Sequence, residues 1–189
     1  MPENLGTFEY RESQRERFHS HELIDEWYKA YPKIFDAQDF ALAVHQNDAR
    51  MRYHFFEWLA AVMLYHTHGS LSLVEQYEKP GHKRKQDILS RIVPPDVFDL
   101  ITNHESSFGG VQCPDLLVYA PDFSDWFFCE VKGDRDTLKP EPRRFFEVLE
   151  KASRKSVRLI DFKVANDQPP SRSGKAEPEA KYDEAAEPK

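Results

Sequence analysis

The sequence predicts a mixed α/β fold, a β-sheet flanked by helices. Three observations predict it: an apolar helical stripe ending near residue 66, two strand-forming runs joined by a turn between residues 115 and 131, and a helix followed by a strand at 140–162.

Residues 1–47 read as a helical N-terminal extension, with helical patterns from Ser20, a capping residue type, to Ala30 and from Ala37 to about Gln46. A stronger helix runs from about Asp48 to His66. Its apolar positions Met51, Phe55, Leu59 and Val62 recur at helical spacing, and Gly69 is a suitable terminator. "LSLVEQYE" (71–78) has the composition of a strand, "KPGHKRK" that of a basic turn or loop, and "QDILSRIV" that of a short helix in an otherwise ambiguous stretch. "DLLVYA" (115–120) and "WFFCEV" (126–131), separated by "PDFSD", form a hairpin. The helix from about Pro140 to Ser153 presents Phe145, Val148, Leu149 and Ala152 on one stripe, and "VRLIDF" (157–162) supplies a last strand. From Gln168 the chain is rich in Pro, Glu, Lys and Ala with few large apolar residues, which predicts a disordered acidic tail. The expected organisation is an extension (1–47), a principal domain (48–166) and a tail (167–189).

The longest apolar-rich run, "FFEWLAAVMLY", is interrupted by Glu57 and too short to span a bilayer. The N-terminus lacks the basic and apolar pattern of a secretory signal. Cys113 and Cys129 make neither a CxxC pair nor a disulfide framework, so a reducing cytoplasm is the expected location and burial their expected role. The net charge of −7 is unevenly spread. Residues 1–50 carry six basic and ten acidic side chains, whereas Lys79 to Arg91 has five against one and Lys132 to Arg158 nine against five. Two basic segments on an acidic chain suit a localised polyanion-binding face, although ordinary solvated lysines give the same count. The candidate phosphate contacts are Lys79, Lys83, Arg84 and Lys85 in the basic loop, and Arg135, Arg143 and Arg144 further on.

The chemistry concentrates at the strand ends. If the hairpin turns near Asp122 and Phe123, residues whose numbers sum to about 245 are opposed, so Asp115 faces Glu130. Directly opposed residues share a face with Cβ atoms roughly 4.5–5.5 Å apart, and the strand period of two brings Lys132 to the same face. Two carboxylates so close raise each other's pKa unless a cation lies between them. A hard divalent ion, Mg²⁺ or Mn²⁺, suits this donor set, with the carbonyl of Val131 as a further ligand, and beside a lysine it suits phosphodiester hydrolysis. An acid followed two residues later by a lysine is more often a surface ion pair; the apolar strand before it, the matching "PD" and the basic segments favour a site.

"GGVQCPDLLVY" followed by "WFFCEVKGDRDTLKPEPRRFFEVL" resembles the virus-type replication-repair nuclease (VRR-NUC) family of the PD-(D/E)XK nuclease superfamily, over roughly residues 50–163. The resemblance implies a restriction-endonuclease-like fold, Asp115 and Glu130 as metal ligands, Lys132 as the catalytic lysine, and DNA as substrate, with branched or flapped structures favoured in repair or recombination. Relatives often add a helix glutamate. Glu57, whose neighbours Tyr53, Ala60, Ala61 and Leu64 are apolar or aromatic, fits that catalytic and metal-binding role, with Glu75 as the rival. Pro142 stands where relatives commonly carry Gln, so a polar role there is either absent or taken by Arg143.

"HTH" at 66–68 with His82 matches no structural zinc spacing and reads as ordinary histidines. No Walker loop or G-x-S-x-G elbow is present, so the chain offers no support for a nucleotide cofactor or a serine hydrolase. The expectation is a metal-dependent DNA endonuclease, nucleoid-associated if bacterial, for which a homodimer would suit a junction substrate. A nuclease-fold subunit that binds DNA with little activity and a restriction or phage-defence nuclease stay open.

Overall fold

A computed structural model of the protein describes residues 3–49, 54–103, 113–134, 136 and 140–165. Five strands and seven helices lie among them: β1 (Glu3–Tyr10), α1 (Glu12–His19), α2 (Glu22–Ala30), α3 (Ala37–Asp48), α4 (Phe55–His68), β2 (Leu71–Val74), α5 (Lys83–Ile92), α6 (Pro95–Thr102), β3 (Leu116–Tyr119), β4 (Trp126–Lys132), α7 (Pro140–Ser153) and β5 (Val157–Val164). The acidic tail from residue 167 and Met51, Tyr53 and Arg135 lie outside the described residues. None of the described helices is long and apolar enough to cross a membrane.

The strands form one mixed sheet in the order β1-β5-β4-β3-β2. β3 runs antiparallel to both of its neighbours, β2 and β4, whereas β5 lies parallel to β4 and β1 parallel to β5. The hairpin register is the expected one: Leu116 opposes Cys129, Leu117 Phe128, Val118 Phe127 and Tyr119 Trp126. The turn closes through Phe123, at φ 61°, whose N–H donates to the Ala120 carbonyl at 2.8 Å. All four residues of β3 are buried, and because successive side chains point to opposite faces, both faces of the sheet centre are covered.

Four expectations are corrected. The N-terminal segment is not purely helical: β1 docks on β5, a pairing between residues about 155 apart that no local pattern announces. The strand expected over 71–78 ends at Val74, because Glu75 and Gln76 take left-handed backbone conformations (φ 46° and 44°) that break the ladder. The basic stretch is a turn only as far as Gly81; Lys83 to Lys85 form the first turn of α5, whose buried Lys85, Leu89 and Ile92 give it an inward face. The stripe of α7 is rotated, with Phe145, Phe146 and Leu149 buried and Val148 40% exposed. In addition α4 begins at Phe55, and α2 is preceded by His21 at φ 70°, Ser20 instead closing α1.

α4 packs across β2, β3 and β4. Its other side meets the N-terminal helices in an aromatic cluster: Trp58 stacks on Phe35 at 3.8 Å, and Phe18 makes edge contacts with Phe55 and Trp58. Phe56 reaches the end of β4, lying so close over Gly133 that a Cβ there would overlap the ring. Overpacking of this kind costs about 1–3 kcal/mol. Gly133→Ala is therefore expected to lower unfolding stability by about that amount, and by much less in a Phe56→Ala background, as a urea-denaturation double-mutant cycle would measure.

Candidate active site

Three elements bring acids to one place. Asp115 precedes β3, Glu130 lies in β4 and Glu57 in the first turn of α4. The Val131 N–H donates to Asp115 Oδ2 at 2.8 Å, and the Glu75 N–H to the Asp115 carbonyl at 3.0 Å, so the loop entering β3 is pinned on both sides. A strand residue turns its N–H and C=O to the same side; the Val131 carbonyl therefore faces the edge that Asp115 occupies, as a ligand role for it requires. Lys132, two residues beyond Glu130, places Nζ 2.5 Å from Glu130 Oε1.

Burial raises all three carboxyls, and repulsion adds to it at Asp115 and Glu57. Burial, then the Glu130 and Glu57 charges, hold the Asp115 pKa well above the carboxylate range. Glu57 is pushed to about 7, chiefly by burial and further by Glu130, with Lys132 opposing. Glu130 is raised by burial against the pull of Lys132. Lys132 stays above the ordinary lysine range although burial works against its charge, because Glu130, Asp115 and Asp136 surround it.

A cleft of about 380 Å³ opens beside the group, lined by Gln46, His54, Glu57, Glu75 and Asp115 among others. Glu57 and Glu75, the two candidates for a third carboxylate, both line it. Glu57 is the one that faces Glu130 and Asp115 electrostatically, while Glu75 touches His54 Nδ1. Sequence reasoning missed His54 and Asp136. His54, at φ 75°, is the residue that precedes α4, three before Glu57, a proximity visible in the sequence although its left-handed conformation is not. Asp136 is held by a hydrogen bond from the Gly133 N–H at 3.1 Å, a local turn with no periodic signature.

The basic residues divide. Lys83, Arg143 and Arg144 are exposed, and Lys79 is half-buried. Arg84 donates to the Lys33 carbonyl at 2.5 Å and the Ile34 carbonyl at 3.3 Å, which ties it to the N-terminal layer. Lys85, expected at a phosphate, is 1% exposed; it pairs with Asp39 and donates to the carbonyls of Val74 and, at 2.9 Å, Glu75. A buried ammonium with these partners cannot reach a phosphate, so its role is structural. His66 shares a hydrogen bond with the Tyr31 hydroxyl at 2.7 Å at an exposed helix end, and both cysteines are buried and outside any disulfide.

Taken together, the group is an oxygen-rich, buried acidic centre with one ammonium at its edge. Comparison with known protein families, with curated proteins and with solved structures finds no significant match for this chain.

Two measurements probe this description. With the folded-state pKa of Glu57 near 7 against an ordinary 4.5, the folded protein binds more protons than the unfolded between those values. The contribution of Glu57 to the stability of the metal-free protein is then fully present below pH 4.5 and is lost as pH rises through about 7. Melting temperature followed across that range should decline in the wild type and decline less in Glu57→Gln. Separately, Lys85→Gln leaves Asp39 buried without its cation and should cost about 3–5 kcal/mol in urea unfolding, whereas exposed Lys83→Gln should stay within about 0.5 kcal/mol of wild type.

Proposed function

We propose that the protein is a divalent-metal-dependent DNA nuclease with a restriction-endonuclease-like core, selective for branched, flapped or junction DNA. The observation that carries this reading is the convergence of Glu57, Asp115, Glu130 and Lys132 at the strand ends beside an open cleft. The run α4, β2, β3, β4, α7, β5, a mixed sheet flanked by helices, supports the core assignment. The likeness to the VRR-NUC family rests on the motif residues of this chain alone.

The residues present fit a hard cation. Three carboxyls crowd together with their pKa values displaced upward, which is the electrostatic signature of a place where added positive charge is stabilising. Asp115, Glu130, Glu57 and the Val131 carbonyl would hold Mg²⁺ or Mn²⁺, which would supply Lewis acidity toward water and the phosphodiester. Asp115 is fixed by the Val131 N–H, and Lys132 is anchored by Glu130 with its ammonium left as a donor toward a nucleophile or a developing negative charge. Lys83, Arg143 and Arg144 offer exposed positive charge for the DNA backbone. A homodimer would suit a two-armed junction.

A second reading, a nuclease-fold subunit that binds DNA without cutting it, is favoured by Pro142 at the position where the resembled family commonly carries Gln. Labelled flap, junction, duplex and single-stranded DNA incubated with Mg²⁺ or Mn²⁺, and with EDTA, separates the two. Cleavage that requires the metal, and that drops roughly 10²–10³-fold in Lys132→Ala and is lost in Asp115→Ala, is the expected result. Binding without cleavage promotes the subunit reading, and equal cleavage by the variants removes the assignment of the site. Neutralising Lys83, Arg143 and Arg144 together should flatten the salt dependence of DNA affinity, by roughly one unit of slope for each phosphate no longer neutralised.

A further inference from the structure

We propose that His54, Glu57 and Glu75 form a second cation site in the cleft, built for a divalent transition-metal ion such as Mn²⁺ or Co²⁺. One donor atom from each lies within 4.8 Å of the others. Glu57 is common to both groups, facing Asp115 and Glu130 on one side and His54 and Glu75 on the other.

Glu75 supplies the independent sign of a ligand. Its side chain is only 10% exposed, and neither carboxylate oxygen accepts a hydrogen bond, although it lines the cleft and touches His54. A buried carboxylate without a hydrogen bond is costly unless a cation compensates it. Lys85, the ammonium on this side, does not serve: its Nζ is committed to Asp39 and to the carbonyls of Val74 and Glu75. Those two carbonyl bonds have another effect. They hold the backbone at the end of β2, where Glu75 and Gln76 are left-handed, so the carboxylate of Glu75 leaves the strand direction and meets the start of α4.

The donor set names the class of ion. One imidazole nitrogen with carboxylate oxygens suits Mn²⁺, Co²⁺ or Zn²⁺ better than Mg²⁺. The other grouping of this kind among the described residues, Asp36, Asp39 and His82, is already neutralised: Lys85 pairs with Asp39, Arg84 approaches Asp36 at 3.6 Å, and Asp36 caps α3.

The assignment shares Glu57 with the proposed nuclease site but needs no nuclease activity. Metal-depleted full-length protein titrated with Co²⁺, followed by calorimetry and visible absorption, is expected to take up two ions per chain. Glu75→Gln and Asp115→Asn should each retain one. Wild-type protein loaded with Mn²⁺ should show the nitrogen modulation of a coordinated imidazole by pulsed electron paramagnetic resonance, a readout that requires no variant to fold, and the signal should persist in Asp115→Asn and vanish in His54→Gln. One ion per chain in the wild type, two ions retained by Glu75→Gln, or an all-oxygen Mn²⁺ sphere would overturn the site. A protein that binds two ions and cuts no DNA keeps this site and loses the nuclease reading; metal-dependent cutting with a single ion per chain does the reverse.

Discussion

The contact between the Phe56 ring and the backbone of Gly133 sets how closely α4 approaches the end of β4. Only a residue without Cβ admits the ring at that distance, and everything the cleft contains depends on it. Phe56 also packs on Tyr10 of β1 and Phe162 of β5, so one side chain ties the helix to three strands. The residues on either side of it along α4, Phe55 and Glu57, then face in different directions. Phe55 joins the aromatic cluster of the N-terminal helices, and Glu57 turns toward Asp115 and Glu130.

A second tie runs through Lys85. A lone ammonium in the interior would be expensive, but Asp39 neutralises it and two carbonyls accept its protons, so the desolvation is offset by a nearly complete set of partners. The pairing joins α3, α5 and the end of β2 in one network. The N-terminal helices are thus coupled to the site electrostatically through Asp39 as well as sterically through Phe18, Phe35 and Trp58.

The part of the structure legible in the sequence is the part governed by short range. The hairpin register followed from the turn, since Asp122 to Ser124 fix where the chain reverses; the ladder begins at Leu116 opposite Cys129, and Asp115, one residue outside it, accepts from the Val131 N–H. Glu57 was legible because its helix neighbours are apolar. What was hidden depends on distant partners. The charge of Lys85 marks it as a surface residue until Asp39, far away in the chain, is seen beside it. The left-handed turn at Glu75 and Gln76 has no glycine to announce it and is held by α5 and the loop before β3. β1 has few large apolar residues, and its alternation is weak because its outer edge is polar.

That outer strand has a consequence for how the chain is made. β1 finds its partner only when Arg158 to Val164 are available, about 155 residues downstream. At synthesis rates of 5–20 residues per second the interval is roughly 8–30 s. Throughout it β1 is an unpaired strand, the kind of segment that associates with other chains. Glu3, Asn4, Thr7 and Glu9, together with the irregularity between Asn4 and Gly6, make it a poor template for such association. The weak apolar character that hides β1 from a sequence reading is the same property that protects the nascent chain while its sheet waits for its last strand.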